Sequence, residues 1–125
     1  MAELAATLGH QFARPELLAE ALTHPSIVQG RAPRKATPYE RLEFLGDRVL
    51  GLVVADMLFH AFPHEAEGAL ARRHAALVRR ESLARIAGEM GLPAHIQMAK
   101  GEDEAGGRSN PALLADCCEA VIGAL

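Results

Sequence analysis

At 125 residues, half of them apolar and only 4% aromatic, the chain has material for one core and no second module. That core must rest on Ala, Leu, Val and Ile, a composition that favours helix over strand. A formal charge of −3 does not advertise a nucleic-acid binder, although carboxylates committed to divalent metals would reverse the local sign.

No run of about 18 apolar residues is present to span a membrane. No basic start followed by an apolar stretch marks a secretory leader. The adjacent Cys117 and Cys118 point about 100° apart on a helix, which suits neither a disulfide nor a shared metal. They read as small core side chains in a reducing cytoplasm.

In chain order, residues 15–23 form a first helix with Leu17, Leu18, Ala21 and Leu22 at helical spacing, closed by Pro25. Gly30-Arg31-Ala32-Pro33-Arg34-Lys35 reads as an exposed basic loop. Thr37 as N-cap, Pro38 at the first helical position and Glu40 three residues after the cap open a long helix that continues to Ala61, before Pro63. A third helical region covers residues 67–90, with a break near Arg80-Glu81, and ends at Gly91 and Pro93. Residues 101–110 are polar and Gly-rich, hence a loop. Asn110-Pro111 caps a last helix that is still running at Leu125, an apolar end that reads as a truncated chain. No segment alternates with period two. The expected fold class is all-α.

On the long helix, Leu42, Leu45, Val49, Leu52 and Val53 fall on one side, and Glu43, Asp47, Leu50 and Val54 on another. Being apolar nearly all round, it is expected to be a buried central helix. Its two acids, four residues apart, would repel one another unless a proton or a cation compensates. The last helix repeats the pattern: Asp116 and Glu119 share an edge with Ala112, Ala120 and Gly123, whose small size admits another backbone or a ligand. Leu114, Cys117, Cys118 and Val121 on the other side look like core. Two such acid pairs on two helices can converge on a hard divalent cation. Glu40 ranks below these four because it completes a capping box.

The stretch Glu40-Arg41-Leu42-Glu43-Phe44-Leu45-Gly46-Asp47-Arg48-Val49-Leu50 closely resembles the signature of the ribonuclease III family. The likeness extends over nearly the whole chain. Leu22-Thr23-His24-Pro25-Ser26 resembles the family's early segment, and Glu67-Gly68 with Leu77-Val78 its next helix. Gly107-Arg108-Ser109-Asn110-Pro111, leading to Asp116 and Glu119-Ala120, resembles its second acidic motif.

The resemblance implies a ribonuclease III endonuclease-like helical fold over residues 1–125, without the separate double-stranded-RNA-binding domain of the bacterial class. It implies magnesium, with manganese as a substitute, at Glu43, Asp47, Asp116 and Glu119; Asp47 and Glu119 would be essential to turnover. Glu67 matches a further acid at the cleft edge, and Arg48 stands where the family often has a small residue. The implied reaction is cleavage of double-stranded RNA to 5′-phosphate and 3′-hydroxyl ends, with ribosomal and other RNA precursors as substrates in the cytoplasm. RNA binding by this chain alone should be weak. A symmetric homodimer is implied, with Phe44 buried in the partner; from the residues alone, an internal core position serves Phe44 equally well.

Arg72, Arg73, Arg79 and Arg80 form a basic stripe, readable as a solvated face or as phosphate contacts. The six histidines have no ligand spacing and receive no role. Two rival functions are weighed. An all-α nucleotide pyrophosphohydrolase uses similar acid pairs, but closer together in sequence than Glu43 and Asp116. A non-catalytic double-stranded-RNA-binding module usually loses an acid, and all four are present.

Overall fold

The computed structural model describes residues 2–27 and 37–125, all helices, turns and connecting segments. Among the described residues seven α-helices run in order: α1 Ala2–Leu8, α2 Pro15–Ala21, α3 Pro38–Ala61, α4 Glu67–Val78, α5 Arg80–Glu89, α6 Lys100–Glu104 and α7 Pro111–Ala124. Short 3₁₀ turns lie at Pro25–Ile27, Leu92–His95 and Gly107–Ser109. The basic loop expected over residues 30–35 lies outside the described residues.

The all-α class holds, but the centre of the fold is α7 rather than α3. Leu113, Leu114, Ala115, Cys117, Cys118, Ala120, Val121 and Ala124 of α7 are all buried. Helix α3 packs along it most extensively, with α5 and α2 on other sides, and α4 lies on α3. Leu4, Leu18, Leu22, Leu83, Leu92 and Ile96 complete the core.

Helix α3 is only half covered, which corrects the expectation of a buried central helix. Tyr39, Gly46, Val54 and Leu58 are buried, whereas Phe44, Leu45, Val49, Leu52, Val53, Met57 and Phe59 are exposed, Leu52 to 72%. An all-round apolar sequence says that a helix is covered, not by which surface. A patch of this kind on a single chain marks a contact face.

Sequence chemistry explains the helix starts. The Thr37 hydroxyl accepts from the Glu40 N–H at 3.2 Å, and the Glu40 side chain turns back to the Thr37 N–H, a complete capping box. Asn110 Oδ1 accepts from the Ala112 N–H at 2.9 Å and caps α7. Replacing Thr37 with Ala is expected to cost about 1 kcal/mol, the usual worth of such a cap, read as a lowered midpoint in urea unfolding.

Several boundaries differ from expectation. Helix α1 precedes the first expected one, and α2 ends at Ala21. The break in the third region falls at Arg79, which is extended (φ −71°, ψ 159°) and separates α4 from α5. The expected loop over residues 101–110 instead contains α6 and a 3₁₀ turn. Arg108 fixes it by donating to the Pro93 and Ile96 carbonyls at 2.6 and 2.8 Å and pairing with Asp103 at 3.0 Å. Opposite, the Gln97 carbonyl accepts from the His24 N–H at 2.8 Å, and the Gln97 N–H donates to Leu22 at 2.7 Å. This isolated bridge sets the Thr23–Ser26 segment beside the core.

Candidate functional site

Two glycines decide how close α3 and α7 approach. A methyl group at Gly46 would overlap the Glu119 carbonyl oxygen and stand 2.8 Å from the Gly123 backbone nitrogen. One at Gly123 would overlap the Leu42 carbonyl oxygen. The helices therefore cross backbone to backbone, and acids that flank the crossing are forced together.

At that crossing, carboxylate oxygens of Glu43, Asp116 and Glu119 lie within 4.8 Å of one another. Glu43 and Asp116 face one another across the helices as a close carboxyl pair, each acting on the other's ionisation. Asp47, one turn beyond Glu43, is exposed and paired with Arg48, and it acts electrostatically on Glu119. The structure thus brings together three of the four acids singled out from the two motifs, Glu43, Asp116 and Glu119, and leaves Asp47 exposed at the edge of the group.

The electrostatics follow from crowding. Burial, followed by the neighbouring Asp116, Glu40 and Asp47, pushes the Glu43 carboxyl up to about 7. Burial, with Asp47, Glu43 and Asp116, pushes Glu119 up to about 8. Asp116 is raised by burial as well, against the opposing pull of its bond to Glu43 and of Arg80 and His24. Carboxyls held this way resist simultaneous ionisation, and a bound cation removes the conflict. Three hard oxygen donors from two rigid helices fit a divalent metal of the magnesium type, which asks for few carboxylates and fills its other positions with water or phosphate.

The remaining expected residues fall around this centre. Glu40 is committed to the Thr37 cap, its Oε1 2.9 Å from the Thr37 hydroxyl. Glu67 opens α4, exposed and outside the carboxylate group. Phe44 is 62% exposed, which overturns an internal core position for it within this chain. Arg48 is more than a tolerated variation: its guanidinium lies 4.4 Å over the Phe44 ring and pairs with Asp47.

The four arginines of the stripe are exposed and are shared between α4 and α5, which the extended Arg79 separates. Arg73 is a clamp within the chain, bound to both Glu65 oxygens at 2.7 and 2.8 Å and lying 3.7 Å over Phe62. Arg79 faces Glu81 at 3.8 Å. Of the four, Arg80 acts on Asp116.

Two neighbours of the centre were missed. His24, given no role, acts electrostatically on Asp116. Its Nδ1 accepts from the Ser26 N–H at 3.1 Å, which assigns the ring proton of the neutral form to Nε2. Only the resemblance of its segment could have drawn attention to it. Tyr39 packs against His24 edge to face, ring centroids 5.8 Å apart. A tyrosine beside a capping box carries no sequence signal of its own. Cys117 and Cys118 are buried, free thiols, raised by burial to about 12 and 11, and act as core. Among the described residues, no helix is long and apolar enough to cross a membrane.

Residues 14–125 match the model of the Ribonuclease-III-like family. A relative from Bradyrhizobium diazoefficiens named Ribonuclease 3 is 50% identical over 125 residues, which cover 99% of this chain and 49% of the relative. Another of that name, from Azorhizobium caulinodans, is 51% identical over 124 residues, 99% of this chain and 52% of the relative. The chain thus spans about half the length of the curated relatives it matches. A solved nuclease domain of ribonuclease III from Campylobacter jejuni, described for flexibility in its dimer-forming region, superposes with a TM-score of 0.87 at 44% identity. That match covers 98% of this chain and 81% of the other. The acid-bearing helix crossing therefore sits in a chain that belongs to the ribonuclease-III-like family and has its nuclease-domain fold.

Proposed function

We propose that this chain is the nuclease domain of an endoribonuclease that cuts double-stranded RNA with magnesium. The observation that carries the reading is the group of three carboxylates within 4.8 Å, drawn from two helices locked by the Gly46–Gly123 crossing. Glu43, Asp116 and Glu119 would hold the metal, with Asp47 beside Glu119; manganese would fit the same oxygens. Magnesium bound there supplies Lewis-acid stabilisation of a phosphodiester and eases loss of a proton from water.

The chain's own contribution is placement. Helix α3 and helix α7 hold the acids without loops, so their oxygens need little reorganisation at the moment of reaction. In-line attack of water on phosphorus forms one P–O bond and breaks the bond to the 3′ oxygen. That oxygen takes a proton, leaving 3′-hydroxyl and 5′-phosphate ends.

The exposed face of α3 fits a second copy of the chain. Phe44, Leu45, Leu52 and Val53 give it the exposed apolar character of a permanent interface. A two-fold axis would then pair two acidic centres, as suits a duplex whose strands are two-fold related. Arg48 would sit at the seam, tied to Phe44 on one side and Asp47 on the other. Ribosomal and messenger precursors in the cytoplasm are the substrates this reading assigns.

The test is incubation of a perfect RNA duplex with the protein and magnesium, beside nucleoside triphosphates under the same conditions. Cut duplex with intact nucleotides is the expected result; the reverse would make the centre a nucleotide pyrophosphohydrolase. Light scattering should find a dimer at micromolar concentration for the parent and a monomer for Phe44→Asp. A parent that stays monomeric would sink the dimer reading.

A further inference from the structure

We propose that Tyr39 is a positioning residue of the acidic centre, its phenol hydroxyl donating a hydrogen bond to the Glu43–Asp116 carboxyl pair when these residues hold a divalent cation. The inference rests on the metal-centre reading above and adds a member to it.

Tyr39 is 4% exposed, and its hydroxyl has no hydrogen-bond partner among the described residues. Buried hydroxyls are nearly always satisfied, so one left open points to water or a ligand-dependent partner. Its position names that partner. Tyr39 lies one turn before Glu43 on the covered side of α3, where residues four apart are neighbours. The groups that act electrostatically on the hydroxyl are Cys117 and three carboxyls of the centre, Glu43, Asp116 and Glu119. A crowd of acceptors beside one unpaired buried donor is an arrangement that a hydrogen bond completes.

The ring is held independently of that hydroxyl. His24 packs against it edge to face, and the His24 backbone is tied to Gln97. The donor is therefore carried on a fixed side chain. A carboxylate that gives one oxygen to a metal commonly receives a hydrogen bond on the other, which sets its orientation and tunes its affinity. Tyr39 is placed to supply that bond. The neighbouring Cys117 thiol is a weak donor and is engaged with the Ala21 carbonyl at 3.5 Å.

The chain contains one tyrosine and no tryptophan, so tyrosine emission of the full chain reports on Tyr39 alone. Manganese titration, followed by electron paramagnetic resonance of the free ion, should give an affinity about tenfold weaker in Tyr39→Phe than in the parent, the usual effect of losing an outer hydrogen bond to a metal ligand. Tyrosine emission of the parent should shift with the same midpoint as manganese binding. In chelator the variant should melt no lower than the parent, because it loses no bond of the metal-free protein.

Equal manganese affinity in parent and variant overturns the proposal. So does parent emission that ignores the metal, or a variant that is destabilised in chelator, since the hydroxyl would then be structural. If the parent itself binds no manganese, the metal centre falls and this inference with it.

Discussion

Replacing Glu119 with glutamine is expected to lower magnesium-dependent cutting of duplex RNA by on the order of 10³-fold, while leaving the fold intact. Glutamine keeps the volume and removes the charge, so the change separates electrostatics from packing. Glu119 belongs to the three-carboxylate group and is also acted on by Asp47, so its loss disturbs both halves of the centre. Cutting at the parent rate would remove Glu119 from the mechanism.

The same variant should reshape stability against pH. Glu119 is raised from 4.5 to about 8, and Glu43 from 4.5 to about 7, with burial the first cause of each. An acid whose folded value lies above its unfolded value gives stability that is complete below the unfolded value and is lost as pH rises through the folded one. Chelated parent protein should therefore melt lower as pH climbs from about 5 to about 8.5. Glu119→Gln should flatten the upper part of that slope, and magnesium should flatten it in the parent. Thermal scans across this range check the sign; a parent that grows more stable over the interval would contradict the crowding.

Gly46→Ala is expected to cost about 3 kcal/mol or more, read as a melting temperature lowered by roughly 10 °C. The new methyl group would meet the Glu119 carbonyl and the Gly123 nitrogen, both backbone, so no side chain can rotate out of the way. Separation of α3 from α7 is the remaining response. That separation also spreads the acids, so metal affinity should fall together with stability. Gly88→Ala is the control: it lies in α5, and an added methyl group there meets nothing within 4 Å. It should be neutral or stabilising by about 0.5–1 kcal/mol. A Gly46→Ala protein that melts like the parent would mean that the crossing is looser than the structure has it.

Local rules were readable where one stretch of chain contains both partners of an interaction. The capping box at Thr37 and Glu40, the Asn110-Pro111 start of α7 and the paired spacing of the acids are all short-range patterns. The small edge around Gly123 also foretold that a backbone could come close. Gly46, its counterpart, carried no such sign, because a glycine inside a helix means a close approach only once the opposing helix is known.

Other readings failed for the same reason. The arginine stripe is divided between α4 and α5 by the extended backbone at Arg79, and Arg73 is taken by Glu65 and Phe62. His24 is set beside the core by the Gln97 bridge, and Tyr39 comes to the acids through the packing of α3 on α7, neither of which is a short-range pattern.

The amino-acid sequence by itself determined an all-helical chain, its main caps, and two acid pairs of the type and spacing that a ribonuclease III-like protein carries. Tertiary structure alone decided that α7 is the centre, that one side of α3 is left for another surface, and that Tyr39 and His24 stand beside the carboxyls. The physical reason is that periodicity records whether a side chain is covered, whereas distances between helices depend on which two backbones meet, and here they meet at Gly46 and Gly123.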